Sequence, residues 1–183
     1  MVLLLFASAL LGLGIAVIYY VKVSRIPIDQ GIENTKEAEK LSKIHSAIER
    51  GALAFLKAEF RYMLYFMLGF AVLIALLIDD PHTENVNEGI YTSFSFILGC
   101  FISILSGFVG MRIATIGNAR TTTAAKNSIG DAFSVALNSG AVMGFGLVGL
   151  AILGLVGIFF ILESLLPGIE KHVLMEVMAG FGI

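Results

Sequence analysis

Tryptophan is absent from this 183-residue sequence, cysteine occurs once, and charged residues are scarce. Each shortage excludes something. The lone Cys100 cannot form a disulfide within the chain; set inside an apolar run, it reads as a small buried hydrophobe and not as a redox group. Without tryptophan, an aromatic belt at a membrane surface has to rest on Tyr19, Tyr20, Tyr62, Tyr65 and Tyr91. Charged residues make up 14% of the chain, well below the roughly 25% of soluble proteins. A net charge of −2 gives no footing for nucleic acid or an acidic substrate as partner, so the position of the charges matters more than their sum.

What the chain has in excess is apolar residue, 57% of the total, with a mean hydropathy of +0.91. It is concentrated in four runs, 1–21, about 62–78, about 90–111 and about 132–162. Each is long enough, or nearly so, to cross a hydrocarbon layer of roughly 30 Å as a helix rising about 1.5 Å per residue. Helix is the required form, because lipid offers no partner to exposed backbone N–H and C=O groups. The expected fold is an all-α integral membrane protein with helices over about 1–21, 34–78, 90–116 and 128–162.

The first run differs from a secretory signal because its basic residues, Lys22 and Arg25, follow the apolar stretch and none precedes it. Eleven of the twelve Lys and Arg residues fall in 22–61 and 112–131. The 79–89 connection carries none, only Asp79, Asp80, His82, Glu84 and Glu88, and the 163–173 connection carries the single exception, Lys171. The positive-inside rule then predicts an outside N-terminus, with 22–61 and 112–131 in the cytoplasm.

After Pro27 and Gly31, Asn34 followed by Glu37 resembles a helix cap with its box partner. Leu41, Ile44, Ile48, Ala52 and Phe55 then recur at helical spacing as one apolar face. No breaker separates this stretch from Phe60 and Tyr62, which predicts one long helix running from water into the bilayer. A separate amphipathic helix on the membrane surface is the alternative. Small residues mark packing faces farther on: Gly99, Ser103 and Gly107; Ser106 and Gly110; Gly140 and Gly144. At four-residue spacing such residues let membrane helices approach closely, so bulk at Gly107 or Gly140 is expected to be harmful. The fourth run, about 31 residues or roughly 46 Å, is too long for one simple crossing. Its first turns, with Asp131, Asn138 and Ser139, are expected in the cytoplasm or inside a protein assembly, with Asp131 at or beyond the interface.

Candidates for chemistry are few. His45 and Glu49 stand four apart, a spacing open to two metal ligands, but a solvated helix face accounts for them better. The Asp79–Glu84 loop reads as an ordinary turn around Pro81 before it reads as a weak cation site. Gly117, Asn118, Arg120 and Thr121 to Thr123 offer amides, hydroxyls and a guanidinium to a phosphate. There is no Gly-rich loop ending in Lys-Ser/Thr, and the stretch reads on its own as a connecting turn. No run has an ionisable residue near its centre, where an ion path would need one. By the residues alone these helices are scaffold, with no catalytic, cofactor-binding or metal-ligating position assigned.

Three stretches nevertheless carry a family resemblance: Ile44 to Phe60, with Gly51-Ala-x-Ala-Phe-Leu56; Gly107 to Ala125, with Gly110-Met-x-x-Ala-Thr115 and Asn118-x-Arg-Thr121; and Ser139-Gly-Ala-Val-Met-Gly144. In this order and separation they resemble the N-terminal region of the membrane-integral, ion-translocating pyrophosphatases, from about residue 10 onward. The resemblance implies hydrolysis of pyrophosphate with Mg²⁺, transport of H⁺ or Na⁺, K⁺ dependence in some members, and a homodimer of about sixteen helices per subunit. It implies further that these four helices belong to an outer ring and that the acidic, Lys-containing pyrophosphate–Mg²⁺ motif lies beyond them, so no catalytic residue transfers to a position here. Met175 to Ile183 then read as the cytosolic or interfacial start of a truncated fifth helix. The partners expected are the lipid bilayer and the remaining helices of the complete pump. The rival reading is a free-standing four-helix membrane scaffold or assembly subunit without enzymatic activity.

Overall fold

The computed structural model describes residues 2–29, 32, 35–78, 87–168 and 170–183. Among these are α1 (Val2–Ser24), α2 (Thr35–Leu77), α3 (Glu88–Asn127), α4 (Ile129–Leu165) and α5 (Lys171–Ala179), closed by a 3-10 turn, Gly180–Gly182. The first four are long and apolar enough to cross a membrane. Helix α2 is one uninterrupted helix, as its unbroken periodicity predicts, of 43 residues or about 64 Å. Asn34, Gly31 and the Asp79–Glu84 loop lie outside the described residues.

The helices alternate in direction, so one end of the bundle gathers the basic segments and the other gathers the 87–88 and 165–171 connections. Helix α3 is the axis, packing against α1, α2, α4 and α5. Three small apolar clusters join the layers. Met67, Ala71, Ile74 and Phe96 join α2 to α3. Val23, Ile113 and Val142 join α1, α3 and α4 near the basic end. Ile158, Leu162, Leu174 and Val177 seat α5 on α4 at the opposite end. Cys100 is half-buried against the first of these clusters, as a small hydrophobe would be.

Only 11% to 28% of each apolar window is buried within the chain. Most of this surface therefore faces outward, where lipid or further helices must cover it. The apolar face foreseen on the water-side half of α2 turns toward α3 but stays loosely covered: Ile44, Ile48 and Phe55 are exposed, and Leu56 is the buried residue.

Three expectations need correction. Helix α3 does not end near residue 116; it continues through Asn127, and Ser128 alone separates it from α4. Two of the threonines that suggested a turn bond their hydroxyls to the preceding helical turn, Thr122 to Asn118 O (3.0 Å) and Thr123 to Ala119 O (3.1 Å), as Thr115 before them does to Met111 O (3.1 Å). Ser128 then caps α4, its hydroxyl accepting from the Asp131 N–H at 3.0 Å. Next, the fifth helix, expected to start at about Met175, begins at Lys171, and it lies at the end of the bundle away from the basic segments. The turn after it folds onto α3, with Gly180 against Thr92 and the Phe181 backbone against Gly99.

Of the glycines expected at close helix approaches, Gly99 and Gly110 do meet a neighbour closely, but Gly107, Gly140 and Gly144 do not. A Cβ on Gly140 or Gly144 would meet nothing within 4 Å, and one on Gly107 only the Phe60 ring edge at 4.0 Å. At Gly149 it would meet Leu13 Cγ at 2.8 Å and the Ala9 carbonyl oxygen at 3.1 Å, where α4 crosses α1. At Gly110 it would meet the Met143 side chain at 3.1 Å. Gly149→Leu is expected to destabilise the chain by about 1–3 kcal/mol through overpacking, whereas Gly140→Leu changes its melting in detergent micelles little. Equal melting shifts for the two would refute the assigned α1–α4 contact.

Candidate functional site

The polar side chains concentrate at the basic end, where α3 reaches both of its neighbours. Helix α1 stops at Ser24, leaving carbonyls at its C-terminus without helical partners. Arg120, about two and a half turns beyond the apolar run of α3, points into that gap. Its Nη2 donates to Ser24 O at 3.1 Å, its Nε to Ile26 O at 2.8 Å, and its Nη1 to its own helix at Ile116 O, 2.9 Å. One turn later Thr123 Oγ1 donates to Ile28 O at 2.7 Å. A guanidinium suits this position because it is cationic at a helix C-terminus and presents several N–H donors in one plane. Burial lowers its pKa below the ordinary arginine value, and nearby Tyr20 opposes that shift. The group keeps its proton at neutral pH all the same.

On its other flank α3 meets the water-side half of α2 through two ion pairs. Arg112 Nη1 reaches Glu49 Oε1 at 2.6 Å, with both side chains about one-third exposed, and Lys126 Nζ reaches Glu37 Oε2 at 2.6 Å in the open. The hydrogen bond and charge of Lys126 hold the Glu37 carboxyl below its ordinary pKa. Between these pairs runs an open groove of about 520 Å³, lined by Ile48 and Ala52 of α2, Ala114, Asn118 and Thr121 of α3, and Ser139 of α4. Gly117 lies against the Ser139 side chain at its floor.

The residues singled out by sequence are therefore reassigned by geometry. Glu49 is engaged by Arg112, so the His45–Glu49 pair is not a free ligand pair, and Glu37 pairs with Lys126, its expected cap partner Asn34 lying outside the described residues. The Gly117–Thr123 stretch is a helix whose arginine grips backbone carbonyls, which removes its phosphate-loop reading. Among the described residues no group of three or more His, Cys, Asp or Glu side chains converges on a point. With Glu37 and Glu49 each neutralised by a cation, this end does not fit a magnesium site. Sequence reasoning missed the Arg120–Ser24, Arg112–Glu49 and Lys126–Glu37 contacts; the Asn-x-Arg-Thr motif was the one signal pointing toward any of them.

Three outcomes test this geometry. Arg120→Met should cost about 1–2 kcal/mol and speed hydrogen exchange at the Arg25 and Ile26 amides, which bond to Val21 O and Val23 O; unchanged exchange there would refute the clamp. An Arg112→Met/Glu49→Met cycle should return a coupling of about 0.5–1 kcal/mol that shrinks with salt. The Glu37 contribution has the usual carboxylate sign: present above its unfolded pKa, and lost as pH falls through its lowered folded value. Glu37→Gln should accordingly remove part of the acid sensitivity of α2–α3 docking.

Comparison with known proteins follows the same residues. The family model for inorganic H+ pyrophosphatase matches residues 10–183. A protein of Pyrobaculum aerophilum named "K(+)-insensitive pyrophosphate-energized proton pump" is 35% identical over 178 residues, 95% of this chain and 23% of that protein. One of Moorella thermoacetica named "K(+)-insensitive pyrophosphate-energized proton pump 2" is 37% identical over 122 residues, 67% of this chain and 17% of that protein. One of Bacteroides thetaiotaomicron named "Putative K(+)-stimulated pyrophosphate-energized sodium pump" is 33% identical over 138 residues, 75% of this chain and 18% of that protein. The chain thus spans less than a quarter of the length of each of these relatives.

Proposed function

Because the chain belongs to the inorganic H+ pyrophosphatase family, we propose that it forms the supporting helices of a pump that couples pyrophosphate hydrolysis to movement of H⁺ or Na⁺. In this reading residues 1–183 are scaffold in the outer ring of a larger homodimeric assembly. The Mg²⁺ and pyrophosphate are held by residues outside this segment, and K⁺ dependence is likewise set elsewhere. The observation that carries the reading is the Arg120 clamp: the arginine of the family-like motif donates from all three nitrogens to backbone carbonyls, two of them at the end of α1. Its role is to hold helices in register. The outward-facing apolar surface supports the same view, since α2, α3 and α4 keep broad faces for lipid or for further helices.

Two measurements test it. Residues 1–183 in lipid vesicles should release no phosphate from pyrophosphate with Mg²⁺ present; release above the protein-free blank would place catalysis in this segment. For orientation, Lys43→Cys and Glu170→Cys are each made in a Cys100→Ala background. An impermeant maleimide should reach position 170 in intact cells and position 43 only after permeabilisation. The reverse pattern would overturn the outside N-terminus.

A further inference from the structure

The six Lys and Arg residues of α2 are Lys36, Lys40, Lys43, Arg50, Lys57 and Arg61. At 3.6 residues per turn they all fall within a sector of about 100°. All six are exposed. The sector lies opposite the side that buries Leu56, Met67 and Ile74 against the rest of the bundle. The only carboxylate within it is Glu39, near its watery end; Glu49 and Glu59 point toward the α3 side. Past Arg61 the same sector changes character within one turn. It continues as Tyr65, Leu68, Val72 and Leu76, which are 65%, 51%, 57% and 73% exposed.

One exposed helix face is thus cationic, then phenolic, then aliphatic, with the change at residues 61–65. Lys57 and Arg61 are about 6 Å apart along the axis, comparable to the depth of the polar layer on one side of a bilayer. Arg50 stands about 16 Å above Arg61, beyond the Debye length of about 8 Å at physiological salt, and touches no headgroup. A second protein helix is a poor occupant, since membrane helix interfaces favour small residues and buried cations need as many carboxylates.

We propose that this face of α2 binds anionic phospholipid. Lys57 and Arg61 pair with the headgroup phosphate, Tyr65 lies at the glycerol level, and the acyl chains run along Leu68, Val72 and Leu76. A guanidinium and an ammonium at this depth suit a phosphodiester, and basic residues beside a span attract acidic lipid. The inference rests on α2 crossing a membrane and not on the pyrophosphatase reading.

The test uses the full-length protein in detergent, titrated with phosphatidylglycerol or phosphatidylcholine, with bound lipid counted by native mass spectrometry. Phosphatidylglycerol should bind more tightly, and Lys57→Gln/Arg61→Gln should weaken it about 25-fold, at about fivefold per cation. Lys36→Gln/Lys40→Gln removes the same charge about 30 Å away and should change affinity less than twofold. Lys57→Arg/Arg61→Lys, which keeps both charges, should retain binding. Equal affinity for the two lipids, equal loss in both neutralised variants, or displacement by inorganic phosphate would each overturn the proposal. Weakened subunit assembly with lipid affinity unmoved would assign the face to a protein neighbour and overturn it as well.

Discussion

The carbonyls left open at the end of α1 must find donors, and the arrangement of the bundle follows from where those donors come. Helices α1 and α3 run in the same direction, so no tight turn can join them or set their register. Arg120 and Thr123 do so instead, across more than ninety residues of sequence, by hydrogen bonds to the oxygens of Ser24, Ile26 and Ile28. Once that register is set, Val23 meets Ile113 and Val142 in one apolar cluster. The antiparallel α4, joined to α3 through Ser128 alone, is then carried against α1 where Gly149 lets it approach Leu13. The clamp is polar and local. What it organises is apolar and long-range, which suits a setting where hydrophobic burial between helices supplies little drive.

Helix α3 mediates between two kinds of neighbour. Toward α1 and α4 it presents buried small residues, among them Gly110, Gly117 and Ala119. Toward the water-side half of α2 it presents cations, Arg112 and Lys126, to Glu49 and Glu37. The first contact is rigid because backbones are close and side chains short. The second is adjustable because long, partly exposed side chains hold it, each pair contributing little in isolation. The groove between α2 and α4 opens along this softer seam.

The long helices were legible in the sequence because hydropathy and the absence of breakers are local properties. Helix α2 shows this well: an unbroken period from Leu41 to Tyr62 predicts one helix, and one helix forms. The family resemblance was legible for a related reason, since Gly51–Leu56 and Ser139–Gly144 are short strings readable in place. The end of α3 was not. Gly117, Asn118 and three threonines have turn composition, but hydroxyl bonds to the preceding turn and contacts to α1 override that preference. Nor could spacing alone say which glycines touch a neighbour. A four-residue period identifies a face of a helix but not its azimuth, so Gly140 and Gly144 met open space while Gly149 met α1. Ion pairs such as Arg112–Glu49 join residues 63 apart in sequence and depend on the register of two helices, which no local pattern contains.

Charge on this chain separates into two populations with different physical roles. Arg112, Arg120 and Lys126 of α3 all face inward to carboxylates or carbonyls of the same chain. The cations of α2 gather on the side away from α3, exposed along the helix. A simple count of basic residues treats the two sets alike when it assigns an inside face. Their environments differ, because neutralising Arg120 leaves the carbonyls at the end of α1 without their donor, whereas Lys57 and Arg61 stand exposed on the side of α2 away from α3. Stability should therefore follow the α3 set, and dependence on the surrounding membrane should follow the α2 set. That division is a consequence of helix azimuth: on α2, Glu37 and Glu49 face α3 while the lysines and arginines face away.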